Sequence, residues 1–504
     1  MEKKKVIIIG AGISGLCAGC YLQMNGYDTE IFELHDTPGG LCTAWMRKGY
    51  TFDGCIHWLA GSSPSDPFYN LWNELIDMKS LEFMNPDKQF QFVSLDGKVL
   101  NLYTDIPKLE KELMEKAPED AAFIKTFIKA IEKLEKFEMP IDKAPEVMNP
   151  WDKIKMIFKM LPFMGTLSKY GKVSVLEIGE KCKNPLLRET FTYNKLFNNF
   201  AFLGLLMALV WSSKKTAGYP IGGSLPFARM FEKKYTDLGG TIHYNSKVTG
   251  ITVENNTAKG VELEKGEKHR ADIVISAADG YYTIYQMLQG KYTDKKIENR
   301  YQGKDKLLTP FPSLLYVSLG ISRNLDHLPH QVVYQINEPI LVDDTTAHTT
   351  LNTTIYNFDP TLAEKGKTCV IVMFESYGHE YWMNLRENDR DKYKKEKQRI
   401  ADRVIDLLEE KIGDIKKNVE VIDVATPATF FRYTNNWRGS YEGWLPGPGA
   451  LMYKIKKELP GLKNFYMIGQ WVEPGGGLPP AIGSGRSVTQ IICKKDRKRF
   501  ISKQ

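Results

Sequence analysis

Residues 5–33 read KVIIIGAGISGLCAGCYLQMNGYDTEIFE, and this stretch decides the fold. Val6 to Ile9 is a short β-branched run, as expected of a strand buried on both faces. Gly10-Ala11-Gly12-Ile13-Ser14-Gly15 follows, then a helix-compatible segment, then a second strand that ends at the acid Glu33. Strand, G-x-G-x-x-G, helix, strand and acid within one such span form the signature of a dinucleotide site. Gly10 allows the tight turn, Gly12 lets backbone approach a pyrophosphate, and Gly15 lets the helix pack closely on the strand. The helix N-terminus at Ile13 and Ser14 offers unpaired N–H groups and a partial positive charge to phosphate. Glu33 is placed to accept hydrogen bonds from ribose hydroxyls.

The chain continues as LHDTPGGLCTAWMRKGYTFDGCIHWLAG. An acid followed by Gly39-Gly40 is the pattern of FAD oxidoreductases, in which the double glycine carries the chain along the pyrophosphate. An NAD dehydrogenase has no need of it, so FAD is the expected cofactor. More than 400 residues later the chain reads MIGQWVEPGGGLPPAIGSGR, Met467 to Arg486. Its glycines predict a second wall of the same site, with Gly476 and Gly477 where only backbone fits. A helix starting at Leu478 would point its N-terminus at the flavin.

Together, Gly39-Gly40, GYTFDGCIHWL and the C-terminal motif resemble the phytoene desaturase, carotenoid isomerase and retinol saturase superfamily. The middle segment from Tyr219 to Leu263 and the strand ADIVISAAD resemble further parts of that cofactor domain. The resemblance implies an α/β fold with α+β insertions. Its parts are a Rossmann-type FAD-binding domain, a discontinuous substrate domain and a helical lid. It also implies that the Val248 backbone meets the adenine, and that Gly469 and Gln470 lie beside the ribityl or phosphate region. Many relatives carry an acid where this chain has Gln470, and desaturases often have Gly-Pro where it has the histidine of FDGCIHWL. Desaturation, saturation and isomerisation of a lipophilic polyene or isoprenoid therefore all stay open. So do two rivals, an amine-oxidase-like flavoprotein and a non-catalytic FAD- or lipid-binding protein.

The expected FAD domain is 1–80, 215–295 and 430–504. Residues 296–429 form the expected substrate domain, with apolar strands at SLLYVSLGI, QVVYQI and TCVIVMF and a charged helix with one apolar face. Residues 81–214 are the expected helical lid. In it, PWDKIKMIFKMLPFMG sets Trp151, Ile154, Phe158 and Leu161 on one face, with Lys153, Lys155 and Lys159 away from it. FAFLGLLMALVW follows at Phe200 to Trp211. Either this region is a cap with an ordinary core, or residues 151–211 dip into a membrane surface and admit a greasy substrate. The basic ends MEKKK and KKDRKRF suit anionic lipid.

Composition sets further bounds. The chain has 504 residues, 42% hydrophobic and 26% charged, which suits a folded protein of two or three domains. Its net charge of +7 is modest, and no basic stripe with interleaved aromatics points to nucleic acid. Seven scattered cysteines suggest a reducing compartment, and Cys17-x-x-Cys20 reads as buried core thiols. The N-terminus resembles a secretory signal, but its glycines sit at dinucleotide positions, so it reads as mature structure. No apolar run is long enough to span a bilayer. The expected location is cytoplasmic, peripheral to the inner face of the membrane. DHLPH at Asp326 to His330 lacks a third spaced ligand, so no metal site is expected. Glu473, just ahead of the glycines, and His57 are the candidate catalytic acid or base. Oligomeric state is not legible.

Overall fold

A computed structural model describes residues 3–193, 198–450 and 453–503. The first two residues of MEKKK, residues 194–197 of the expected lid and residues 451–452 and 504 of the expected cofactor domain lie outside it. Strand β1 (Lys5–Ile9) leads through the glycine turn into helix α1 (Ile13–Met24), and strand β2 (Asp28–Phe32) returns beside it. Much later come helix α2 (Ser224–Asp237), strands β3 (Thr241–His243), β4 (Ile273–Ser276) and β5 (Phe465–Met467), and helix α3 (Leu478–Lys495). The five strands form one parallel sheet in the order β3-β2-β1-β4-β5, with Val6 opposite both Thr29 and Ile273. Val6, Ile7 and Ile8 are wholly buried, as a strand covered on both faces requires.

Helices α1 and α3 cross very closely. A Cβ built on Gly485 would lie 2.8 Å from Ser14 O and from Ala18 N, so only glycine permits the crossing. Ser484 Oγ accepts the Gly469 N–H at 3.0 Å and ties α3 to the loop after β5. The first and last parts of the chain are thus joined at the place where the ligand is expected.

A second sheet has seven strands, in the order Val419–Ala425, Ser313–Ile321, Thr368–Ser376, Ala347–Ile355, Gln331–Leu341, Lys88–Val93, Val99–Tyr103. The three strand segments expected within 296–429 all belong to it. The charged helix Arg390–Ile412 lays Ile400, Val404 and Leu408 into the core beneath the sheet. The region 81–214 is not purely helical. Lys88–Val93 pairs in parallel with Gln331–Leu341, and Val99–Tyr103 extends the same sheet. Alternation of Phe90 and Phe92 with polar neighbours gives this strand one face for the core, and the helices begin only at Ile106.

Helix Phe202–Ser213 carries most of the apolar run of the expected lid, and it packs as ordinary core, one of the two alternatives left open for this region. Phe202, Leu206, Leu209 and Val210 are at most 1% exposed, packed with the helix Ala121–Leu134. A helix apolar on all sides suits a core as well as it suits a bilayer. Helix Pro150–Met160 behaves in the opposite way: none of its residues is buried. Among the described residues no helix is long and apolar enough to cross a membrane.

Candidate active site

One cleft runs over the C-terminal ends of β1 and β2 and between the N-termini of α1 and α3. Of the residues expected to hold a cofactor, it is lined by Gly10, Gly12, Ile13, Ser14, Glu33, Gly39, Gly40, Val248, Gly469, Gln470, Gly477 and Leu478. These positions come from four separated parts of the chain. Gly39 N–H donates to Ala11 O at 2.9 Å, so the double glycine lies along the α1 turn. Beside Gly12 the space where a side chain would stand holds no atom closer than Gly39 O at 4.0 Å. That opening is what a phosphate needs.

Both helices that face the cleft start without a side-chain cap, α1 after Gly12 and α3 after Gly477. The first N–H groups of α1, and that of Leu478 ahead of Pro479 and Pro480 in α3, are left for a ligand, and the helix dipoles favour negative charge there. Glu33 is nearly buried. Its two oxygens accept the Ala11 N–H at 2.6 Å and the His35 N–H at 2.8 Å, and each keeps a second lone pair for a ribose hydroxyl. Burial pushes the Glu33 carboxyl above its usual range, against the backbone N–H groups that lower it. Asp279, deep in the cleft, is pushed up to about 7 by burial although the Trp437 and Tyr282 N–H groups donate to it. An elongated cleft with two bare helix N-termini, an acid at one end and glycine walls fits a dinucleotide.

Two expected cofactor residues do not line the cleft. Gly15 acts from behind, because a Cβ there would sit 2.0 Å from Gly10 O and spoil the turn. Gly476 backs onto Glu442, and a Cβ on it would come within 2.5 Å of Glu442 Oε2.

The two catalytic candidates fare differently from expectation. Glu473 does not line the cleft. Its Oε1 lies 2.5 Å from the Nζ of Lys457, a buried lysine whose other carboxylate neighbour is Glu146 at 3.7 Å. Glu473 therefore pairs with a buried amine. His57 does not line the cleft either. It keeps an open surface although the surrounding protein pushes its imidazole down to about 4 by burial. Trp58 beside it meets Trp211 of the helix Phe202–Ser213 at 5.8 Å.

Sequence reasoning missed Glu442. This half-buried carboxyl lines the cleft next to Gly477 and Gln470, and burial pushes it up to about 7. Neither a motif nor a spacing marks it in GSYEGW, and only the fold brings it to the glycine wall. Tyr441 beside it lines the same end and donates to Gly54 O at 3.0 Å. Among the described residues no group of three or more His, Cys, Asp or Glu could hold a metal ion.

A family model described as flavin containing amine oxidoreductase matches residues 13–493. The chain belongs to the flavin-containing amine oxidoreductase family. FAD is its cofactor, and it is an FAD-dependent oxidoreductase with the family's α/β FAD-binding fold. Curated relatives include a 4,4'-diapophytoene desaturase (4,4'-diapolycopene-forming) of a Methylomonas species, 24% identical over 99% of this chain and 96% of its own. A phytoene desaturase (lycopene-forming) of a Paracoccus species is 26% identical over 97% of both chains. Among solved structures, an oxidoreductase from Methanosarcina mazei superposes with a TM-score of 0.60 at 17% identity, covering 96% of this chain and 100% of that one. Membership in this flavoprotein family agrees with the desaturase-like resemblance read from Gly39-Gly40 and the C-terminal glycines.

Proposed function

We propose that this flavoprotein moves a hydride between FAD and a carbon–carbon bond of a lipophilic polyene or isoprenoid drawn from a membrane surface. The relatives named as desaturases of phytoene and diapophytoene support the substrate class. The observation that carries the reading is an exposed apolar face. Trp151, Ile154, Ile157, Phe158, Leu161 and Met164 are 72, 42, 58, 69, 60 and 45% exposed on successive turns of Pro150–Met160 and the short helices after it. Lys153 and Lys155 are exposed on the same helix, a pairing of greasy and basic side chains suited to an anionic interface. A small water-soluble amine gives no reason for such a face.

The face is fastened to the cofactor helix. In the strap ahead of Pro150–Met160, the Ala144 N–H donates to Gln490 Oε1 at 2.7 Å. Lys494 Nζ donates to Glu146 O at 3.0 Å. Both partners sit on α3, whose N-terminus faces the cleft. The basic ends contribute less than their sequence suggests. Lys4 pairs with Asp496 at 2.6 Å, Lys5 with Glu30 and Lys495 with Glu458, both at 2.5 Å.

FAD, when bound, supplies the two-electron chemistry. Gly10, Gly12, Gly39 and Gly40 with Ile13 and Ser14 would hold the phosphates, Glu33 the ribose, and Gly469, Gln470, Gly477 and Leu478 the ring end. Glu442 is the group placed to hold or release a proton near neutral pH. His57 is neutral at that pH and stands outside the cleft, beside Trp58.

The test is anaerobic incubation of the oxidised and the reduced holoprotein with isoprenoid polyenes in vesicles, reading flavin absorbance and lipid mass together. Bleaching with a two-unit loss of mass means desaturation. Reoxidation with a two-unit gain means saturation, and changed retention at unchanged mass means isomerisation. A flavin that responds to amines and never to a polyene would overturn the reading.

A further inference from the structure

Cys42 and Cys55 both line the cleft, and nothing in the proposed chemistry uses them. The hairpin Ala44–Arg47 and Tyr50–Asp53 pairs Ala44 with Asp53 and Trp45 with Phe52. The Gly54 N–H donates to Thr43 O at 2.9 Å, so the same register continues beyond the strands. Cys42 and Cys55 follow directly on this last bonded pair, at the open end of the hairpin. The two side chains are in contact as hydrogen-bonding thiols, and both residues line the cofactor cleft.

The surroundings hold this pair firmly. Asp53 Oδ1 accepts the Cys55 N–H at 2.9 Å, and the Ser224 hydroxyl donates to the same oxygen at 2.6 Å. The Tyr441 hydroxyl lies 3.0 Å from Gly54 O and 3.3 Å from Cys55 O. Cys42 Sγ reaches Ser224 O at 3.4 Å. Cys42 is buried, while Cys55 keeps open surface. The hydrogen bond to Cys55, then burial, push the Cys42 thiol well above its usual value, so Cys42 is the sulfur that keeps its proton.

Cys17 and Cys20 provide the contrast. They share one helix, lie wholly in the core and do not line the cleft.

We propose that Cys42 and Cys55 are a redox-active dithiol that exchanges two electrons with the bound FAD. In the oxidising direction both S–H bonds break and one S–S bond forms between the two residues. The two electrons and two protons released pass to FAD, giving FADH2, and the reverse reaction restores the dithiol. The site then stores two electrons in sulfur besides the two in flavin. The proposal rests on the family's cofactor and not on the substrate class, so the polyene reading can fail without it.

The test uses FAD-loaded protein. Diamide sets the oxidised end, and dithionite is then added stepwise without oxygen. At each step an aliquot is quenched in acid, alkylated with a maleimide under denaturing conditions and mapped by peptide mass spectrometry. Expected is a Cys42–Cys55 disulfide at the start, with both residues becoming tagged in step with flavin bleaching. Wild-type protein then takes up twice the reducing equivalents per flavin that Cys55→Ser or Cys42→Ser does. Cys17 and Cys20 are tagged at every step and serve as internal controls. The proposal is overturned if diamide yields no Cys42–Cys55 disulfide, or if the disulfide persists once the flavin is fully reduced. It is equally overturned if wild type and both variants consume the same equivalents. The wild-type peptide map decides the question even where a variant loses flavin.

Discussion

The Gly476 backbone lies against the Glu442 carboxyl, so closely that a Cβ at 476 would meet Oε2 at 2.5 Å. Gly476 also has φ +66°, a conformation that L side chains rarely adopt. The last glycine motif thus seats a carboxyl in the cofactor cleft rather than touching the ligand at this position. Gly476→Ala is expected to displace Glu442 and lower flavin retention at least tenfold, read as bound FAD per chain after gel filtration. Retention equal to wild type would show that the Glu442 seat is dispensable.

Glu442 itself gives a pH signature. Its carboxyl loses its proton at about 7 in the folded chain, against about 4.3 when unfolded. Between those values the folded chain binds more protons, so this group's contribution to stability falls as pH rises from about 4 to 7. Glu442→Gln is expected to gain about 1–3 kcal/mol relative to wild type at pH 8 and nothing at pH 4. Urea denaturation at the two pH values checks it. The same variant is expected to flatten the limb of the pH–rate profile near neutrality.

His57 acts with the opposite sign. Its imidazole takes up a proton at about 4 when folded, against about 6.5 when unfolded. Stability from this group is lost as pH falls through that window. His57→Asn is expected to make the holoprotein less acid-sensitive between pH 6.5 and 4, measured as the shift in Tm over that range.

Glu473 is expected to matter for folding rather than for chemistry. Glu473→Gln leaves the buried Lys457 amine without its carboxylate at 2.5 Å, at a cost of about 2–4 kcal/mol. Thermal melting checks the loss. Flavin reduction in the surviving holoprotein is expected to stay within about threefold of wild type. A loss of a thousandfold or more would return Glu473 to the catalytic role read from its motif.

Much of the cofactor half was legible because its determinants are local. Gly10, Gly12, Gly15 and Glu33 fall within one βαβ unit whose spacing has a single physical use. Glu442, Cys42 and Cys55 were not legible as site residues. Each is isolated in sequence, and only the hairpin register and the return of the chain at β5 and α3 gather them. Hydropathy also could not rank the two apolar helices. Phe202–Ser213 is apolar on all sides and lies in the core, whereas Pro150–Met160 carries three lysines among its apolar residues and faces outward. The strand KQFQFV was missed inside the expected helical lid, because its partner Gln331–Leu341 lies more than 200 residues away.

The exposed face gives the most direct test of how substrate arrives. Trp151 and Phe158 are 72% and 69% exposed, so Trp151→Glu with Phe158→Glu is expected to change stability by no more than about 1 kcal/mol. Flotation with anionic vesicles is expected to fall at least tenfold, with flavin content unchanged. Undiminished flotation would remove this helix as the membrane contact.

The central claim is that the flavin reacts with a polyene carbon skeleton. The measurement is the absorbance of the FAD-loaded protein mixed without oxygen with a vesicle-borne isoprenoid polyene, followed by the mass of the recovered lipid. The account predicts a change in flavin redox state matched by a lipid shifted by two mass units, or an isomerised lipid formed only with reduced flavin. A flavin indifferent to every polyene in both redox states, yet promptly bleached by an amine, would contradict it.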